Sequence, residues 1–429
     1  MNMLGDRAKD RRHNSSVCAP HVLVVLYPAF GHVLPMLPIL AELVRVGCRV
    51  TATTGATFAD RVRATGAEAV TYTTPLTDTA PPDRLTADEL AWRMVSYLEE
   101  VLAVSPVIES CARPDVMVYD TSLWAPARVI AVEWGCPMIQ AVPTFASNKH
   151  FSVAERLGRI APPIDPAHPA LAQFVQLLTD YSNEHHVPKE HGDEVMSGHG
   201  HPTIVTITRA FQFFGETFGD DHVFVGPCLE TPGAGSTYGH AAAGWRPTAD
   251  SGPLALISLG TTVNDKPDLF RHCAEAFADT EWQLVMTVGG RFDPAALGPL
   301  PANVEVHRWL PHEQVLRHAS VFVCQGGMGS VQQSMYHAVP MVVIPHHHEQ
   351  QANAERIAEL GLGHVLARES LTADLVRDTV LRVANDPRIA AQAHVMREDI
   401  RASGGAPLAA QTIVAHASRE TSLLVPAAG

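Results

Sequence analysis

Short apolar runs alternate with helix-patterned stretches along most of this chain. That alternation restricts it to an α/β fold, a parallel sheet covered by helices. In the first half the runs fall at 22–26, 49–53, 69–73, 116–119, 138–141 and 203–207. Around 229–252 the pattern lapses into Glu230-Thr-Pro-Gly-Ala-Gly-Ser and Arg246-Pro-Thr-Ala-Asp-Ser-Gly, the composition of a linker. The alternation restarts at 254–258, 283–287, 304–307, 321–324 and 341–344. A chain of 429 residues exceeds one ordinary core and suits two domains. The expected division is a flexible tail at 1–20, a first domain at 21–228, a linker at 229–252, a second domain at 253–406 and a terminal helix and tail at 407–429. Two such halves imply a cleft between them, where ligands bind.

Composition removes several classes of function. A net charge of −14 excludes a nucleic-acid partner, because phosphate backbones need a basic surface. A hydrophobic content of 46% and a mean hydropathy of +0.04 describe a soluble globular protein. The seven cysteines are scattered and form no Cys-x-x-Cys pair, so neither a disulfide frame nor a zinc site is signalled. Arg7, Lys9, Arg11 and Arg12 before an apolar run imitate a signal peptide, but Asp6 and Asp10 dilute the charge and no small-residue cleavage site follows. Pro28, His32, Pro35 and Pro38 make 22–43 a poor membrane span. The expected location is the cytoplasm, without a membrane partner.

The run at 22–26 leads into Pro28-Ala-Phe-Gly-His32-Val-Leu-Pro35, and a helix pattern follows through Met36, Leu37, Leu40 and Leu43. His32 therefore sits where a strand end meets a helix start, the place ligands occupy in open α/β sheets. An imidazole there is suited to take a proton from a substrate hydroxyl; the plain alternative is a capping or packed histidine. The stretches 74–105 and 145–200 break the alternation and are expected to be irregular segments shaping a substrate pocket. His185, His186, His191, His199 and His201 lie in or beside the second stretch. Their spacings match no familiar ligand set, and they are expected to be solvated loop residues, not a metal site.

The second half carries a denser cluster. Trp309 follows the 304–307 run, and an indole at a strand end can offer a flat face to a base. The 321–324 run enters Gln325-Gly-Gly-Met-Gly-Ser330 and then a helix. Glycines admit a phosphate to the backbone there, and the helix amides and macrodipole stabilise its charge. After 341–344 comes Pro345-His-His-His-Glu349-Gln350-Gln-Ala-Asn353, with a carboxylate beside an amide, apt for adjacent sugar hydroxyls. His346, His347 and His348 in succession cannot easily converge on one ion. A dinucleotide fingerprint is a poorer fit. Its third glycine would fall at Gln332, too large for close helix–strand packing.

Together these motifs resemble the GT-B nucleotide-sugar glycosyltransferases, in particular the bacterial macrolide-type UDP-glycosyltransferases. The resemblance runs from about residue 20 to 415. It rests on Gly31-His32-Val33, Asp115-Val-Met-Val-Tyr-Asp120, Phe224-Val-Gly-Pro227, Leu256-Ile-Ser-Leu-Gly260, Val304-Glu-Val-His-Arg-Trp309, Gly326-Gly-Met-Gly-Ser330 and Glu349-Gln350. It implies two Rossmann-like domains facing across a cleft, with the last helical stretch, about 407–420, crossing back to the first. His32 would be the general base on the acceptor hydroxyl. Asp120 would orient it through the other ring nitrogen; the alternative for Asp120 is a turn or N-cap residue. Trp309 would stack on uracil, with Leu310 beside it. The backbone of Gly327, Met328, Gly329 and Ser330 would cradle the diphosphate, faced by Ser258, Gly260 and Thr261. Glu349 and Gln350 would bind the donor sugar, and Phe30, Trp124 and Phe145 the acceptor.

Three positions depart from the family. Gln325 stands where members usually have His, Gln333 where a ribose-binding Glu is usual, and His312 where Gln is common. A Gln amide can donate but never carries charge, so Gln325 gives the leaving diphosphate less electrostatic help unless a neighbouring His or Arg291 supplies it. A neutral Gln333 binds ribose less strongly than a carboxylate would. The implied activity is inverting and metal-independent, with no cofactor. A hexose, glucose from UDP-glucose first of all, would pass to a hydroxyl of a macrolide-like or other hydrophobic acceptor. The alternatives are a dTDP-deoxysugar transferase of antibiotic biosynthesis, a sugar-nucleotide epimerase of the same fold, or a catalytically silent partner. A homodimer is left open.

Overall fold

A computed structural model describes residues 19–74, 85–159, 161–197, 201–229, 244–247, 252–260, 267–290 and 293–423. Thr261, Arg291, His199 and most of 229–252 lie outside them. The first domain is a seven-stranded sheet with the order β3-β2-β1-β4-β5-β6-β7. Its strands are β1 (His21–Val25), β2 (Arg49–Gly55), β3 (Glu68–Tyr72), β4 (Val116–Asp120), β5 (Met138–Val142), β6 (Thr203–Val205) and β7 (His222–Phe224). The second is six-stranded, with the order β10-β9-β8-β11-β12-β13. It comprises β8 (Leu254–Ser258), β9 (Gln283–Thr287), β10 (Val304–His307), β11 (Val321–Cys324), β12 (Met341–Val343) and β13 (Gly363–Val365). The strand pairings are parallel in both sheets. The central strands are apolar runs buried on both faces, which is why they show no alternation in sequence. The two sheets and their helices make two parallel-sheet α/β domains.

Each sheet reverses its strand order once, between β1 and β4 in the first and between β8 and β11 in the second. Such switch points leave a crevice beyond the carboxyl ends of the two strands. Both candidate half-sites emerge from them.

The helix after β1, Phe30–Arg45, contains Pro35 and Pro38. Its six buried apolar residues, Val33, Met36, Leu37, Ile39, Leu40 and Leu43, are worth about 1.5–3 kcal/mol each, against about 3 kcal/mol for each interior proline. Packing therefore decides that this segment is helical. The terminal helix Gly405–Leu423 starts two residues before the expected 407. Its Ala409, Ala410, Ile413 and Ala417 are buried in one cluster with Val33, Leu37 and Leu40, so the end of the chain completes the first domain's core.

The structure corrects the expectation of irregular segments. Residues 87–102 form a helix, opened by a capping box in which Thr86 and Glu89 satisfy each other's backbone amides. Ala91, Val95, Leu98 and Val101 give it a buried stripe. Residues 145–200 contain the helices Val153–Gly158, Pro169–Glu184 and Gly192–Ser197. The edge strands β7 and β13 lie outside the expected runs; they are only partly buried, and His222 and His364 interrupt their short apolar stretches. Among the described residues no helix is long and apolar enough to cross a membrane.

Candidate active site

β1 and β4 pair from Val22↔Val116 to Val25↔Tyr119, so the segments leaving them emerge side by side. His32 lies in the first turn of Phe30–Arg45, and Asp120 ends β4. His32 Nδ1 lies 2.8 Å from Asp120 Oδ2. Asp120 is buried, and its Oδ1 accepts from the Ser122 backbone N–H at 2.8 Å. One oxygen thus faces the imidazole and the other caps the turn at Ser122. A carboxylate only accepts, so the proton belongs on Nδ1, and Nε2 keeps its lone pair. The ring is a quarter exposed.

Burial in the cleft works to lower the His32 pKa. The Asp120 charge, its hydrogen bond and the Glu349 charge together outweigh that, and the net shift is upward. Tyr27 packs its ring against His32 at 4.9 Å, and Tyr97 follows at 6.4 Å from Tyr27. Beyond them a cavity of about 280 Å³ is lined by Leu90, Met94, Tyr97, Trp124, Phe174 and neighbours, largely apolar side chains. Desolvation first, then the Asp120 charge, pushes the Tyr27 hydroxyl up to about 12, so it stays neutral beside the base.

The other half-site grows from β8 and β11, again direct neighbours. Ser258 ends β8, buried, and its Oγ accepts from the Gly260 N–H at 3.3 Å. Gly260 has φ +74°, and a Cβ placed on it would meet Gln325 Nε2 at 2.0 Å. The Gln325 side chain is thus laid directly on the facing loop, which only glycine permits. Gln325 is buried, and among the described residues its Oε1 has no hydrogen-bond partner; the same holds for Gln333 Oε1. Gly327 caps the helix Met328–Tyr336 in an extended conformation with no side-chain cap, which leaves the first-turn amides to a ligand. Gly329 is exposed with open space around it. Trp309, on the loop after β10, is 42% exposed. His312 pairs through Nε2 with Thr287 Oγ1 at 3.1 Å, and burial pushes it down to about 4, so it is neutral near pH 7.

Glu349 lies in the first turn of the helix His348–Glu359. It is accessible to solvent, yet the cleft walls enclose it enough that desolvation raises its carboxyl, with His32 acting in the opposite direction. Glu349 and His32, one from each domain, lie within electrostatic reach of each other.

Several expected contacts need revision. Phe145 is buried among Phe151, Phe211 and Phe213 at 4.8–6.4 Å, so it packs the core and does not line the acceptor space. Phe30 is half-buried on Phe58, with Arg61 over its ring, while Trp124 does line the apolar cavity. The side chains of Met328 and Leu310 point into the core, leaving only their backbones to a donor. Gln350 is buried, and its Oε1 accepts from the His346 N–H at 2.8 Å; that carbonyl holds its own loop. His185 is no loop residue in solvent: it bonds Glu133 at 2.8 Å and lies 3.6 Å from Glu109. Among the described residues no group of His, Cys, Asp or Glu is placed to hold a metal ion.

Sequence reasoning gave no role to Asn353, which it named only as part of a motif, and passed over Tyr97. Asn353 is fully buried, and its Nδ2 donates to Gly326 O at 2.8 Å, tying the glycine loop to the helix His348–Glu359. Its position one turn beyond Gln350 on a helix was the available signal.

The family model described as "Erythromycin biosynthesis protein CIII-like, C-terminal domain" matches residues 273–415. Demethyllactenocin mycarosyltransferase of Streptomyces fradiae is 35% identical over 406 residues, covering 92% of this chain and 86% of that protein. The chain belongs to the macrolide-type GT-B glycosyltransferases. Oleandomycin glycosyltransferase of Streptomyces antibioticus is 32% identical, covering 92% of this chain and 90% of the other. Among solved structures, the calicheamicin glycosyltransferase CalG4 matches with a TM-score of 0.82 at 34% identity, covering 94% of this chain and 99% of that one. As a member of this family, the protein is a glycosyltransferase of the macrolide and antibiotic type.

Proposed function

We propose that this glycosyltransferase moves a hexosyl unit, with inversion and without a metal, from a nucleoside diphosphate sugar to a hydroxyl of a hydrophobic natural product. The observation that carries the reading is the His32–Asp120 pair at one switch point, electrostatically coupled to Glu349 above the other. His32 Nε2 takes the acceptor proton as the acceptor oxygen bonds the anomeric carbon. The bond from that carbon to the β-phosphate oxygen breaks, and the nucleoside diphosphate leaves with the electron pair. Asp120 stabilises the imidazolium that forms. The first-turn amides of Met328–Tyr336 and the Gln325 amide meet the charge on the departing diphosphate. Trp309 stacks on the base, and the Gln333 carbonyl accepts from ribose. The apolar cavity at Leu90, Met94, Trp124 and Phe174 takes the body of the acceptor.

Glu349 supports a donor with ring hydroxyls to grip, glucose from UDP-glucose. A specific observation favours a second donor class. The Gln350 carbonyl is already bonded to His346, which leaves fewer acceptors for a fully hydroxylated sugar, and mycarosyltransferase is among the relatives. A dTDP-deoxysugar is therefore the alternative. The test is incubation with UDP-glucose, dTDP-glucose and a dTDP-deoxysugar against a macrolide panel, read by mass. A gain of one sugar with release of the nucleoside diphosphate supports the reading and picks the donor. Donor conversion without any acceptor would replace it with an epimerase.

A further inference from the structure

Two arginines of different domains share one aromatic ring. Arg156, on the first-domain helix Val153–Gly158, lies over Phe213 at 4.0 Å; Arg356, on the second-domain helix His348–Glu359, lies 5.1 Å from the same ring. Two cations drawn this close need compensation, and the structure provides it. Arg156 Nη2 reaches Glu355 across the domain boundary at 2.5 Å, and Arg356 Nη1 pairs with Glu359 at 3.1 Å. Arg356 Nε donates to Phe211 O at 3.0 Å, and its Nη2 donates to Ala210 O and Gln212 O, both at 3.0 Å. The loop that supplies these carbonyls is itself pinned. The fully buried Gln212 accepts from the Ala146 N–H at 2.9 Å and donates to Ala146 O at 3.1 Å.

We propose that Arg356, seated on the 210–212 carbonyls with Arg156 and Phe213, is an interdomain latch that sets the helix His348–Glu359, with Glu349 in its first turn, against the first domain. The helix His348–Glu359 is the lever. Arg356 is seven residues from Glu349, about 10 Å along the axis at 1.5 Å per residue. A rotation at the latch is therefore delivered to the sugar-binding end of the same rigid helix. Arg356 touches neither reacting atom nor donor; it is a positioning residue. The proposal rests on the glycosyl-transfer reading for its effect on rate, but not for its effect on domain orientation.

The test uses the full chain and the variants Arg356→Met and Arg356→Lys, with small-angle scattering, calorimetric titration of UDP and dTDP, and steady-state kinetics. Arg356→Met is expected to enlarge the radius of gyration of the nucleotide-bound protein. It should leave nucleotide Kd within about threefold and lower kcat by roughly tenfold to a hundredfold, the range a 1 Å misplacement produces. Arg356→Lys, which keeps a cationic donor, should recover part of both changes. An unchanged radius of gyration in Arg356→Met overturns the latch, as does an equal loss in nucleotide affinity and kcat. If Arg356→Met does not fold, Glu355→Gln decides by the same readouts, because it removes the charge that bridges to Arg156 across the boundary while its Oε1 can still accept from Gln351. Should the wild-type protein transfer no sugar, the functional reading fails while scattering still decides the latch.

Discussion

Replacing Asp120 by Asn tests the catalytic pair most sharply, because the structure fixes what each oxygen of Asp120 does. Oδ1 accepts from the Ser122 N–H and Oδ2 faces His32 Nδ1, both at 2.8 Å. An Asn that keeps its carbonyl on Ser122 must turn its NH2 toward Nδ1. The imidazole proton then moves to Nε2, and the nitrogen meant to act as base becomes a donor. An Asn turned the other way sets NH2 against the Ser122 N–H and leaves a buried donor unpaired, at about 1–3 kcal/mol. In either orientation the imidazolium formed during transfer loses a hydrogen bond to a charged partner, worth about 1.5–3 kcal/mol. That transition-state loss converts to a fall in kcat/KM of roughly 10- to 150-fold at 1.36 kcal/mol per tenfold, to which the wrong tautomer adds in the first orientation, while the unpaired donor of the second lowers stability. The total loss in rate cannot exceed what the base contributes, itself about 10²–10⁴. The pH profile adds a second readout. His32 acts when neutral and its pKa is raised, so wild-type activity climbs with pH through a value above the ordinary imidazole 6.5. Removing the Asp120 charge takes away the largest raising influence, so the acidic limb should move to lower pH while the plateau falls. By linkage, the stability this pair contributes is fully present below pH 6.5 and fades as pH rises through the folded-state pKa; the variant should be relatively least stable in acid. A kcat/KM within threefold of wild type, with an unmoved acidic limb, would return Asp120 to a purely capping role.

Three further outcomes are expected. His32→Ala should remove most transfer, about 10²–10⁴-fold, while calorimetry finds UDP affinity nearly unchanged, because the base belongs to the other domain; an equal fall in affinity would count against the assignment. Gly260→Ala should lower the melting temperature and weaken nucleotide binding. It loses about 1–2 kcal/mol to φ +74° and drives its Cβ into Gln325, and adding Gln325→Ala should relieve the clash but not the backbone strain. Trp309→Ala should weaken UDP binding by about 1–3 kcal/mol, or roughly 5–150-fold, with little change in melting temperature because the indole is 42% exposed.

The fold was legible because parallel strands buried on both faces leave continuous apolar runs, and helices between them leave a different period. The departures follow from weak local signals. Residues 87–102 looked irregular because the helix has only a narrow stripe, Ala91, Val95, Leu98 and Val101, with Trp92 and Met94 exposed beside it. Phe145 was assigned to the acceptor because an aromatic near a strand end suits a pocket; that it stacks on Phe211 depends on a loop 66 residues away. Gln350 looked like a sugar ligand by its place beside Glu349, and nothing local foretold that His346 would take its carbonyl. A partner 66 residues away decides Phe145, and the path of the loop before the helix decides Gln350; sequence spacing carries neither.

The motif residues were nonetheless readable, and topology explains why. His32 and Asp120 are 88 positions apart, and Gly260 and Gln325 are 65 apart by their numbers, yet each pair flanks a switch point. A parallel strand pair with its crossovers on opposite faces must bring its two carboxyl ends together with nothing packed between them. Any polar residue placed just after either strand is thereby aimed into an open crevice. The local sequence signal, a strand run ending in a glycine turn and a helix start, therefore already contains the spatial one. What it does not contain is the relation between the two crevices. That relation is set by the Arg356 seat on 210–212, the Arg156–Glu355 bridge and the return of Gly405–Leu423 to the first domain. These contacts fall outside the glycine-rich turns, so the chemistry of each half is written locally while their encounter is written in the packing between them.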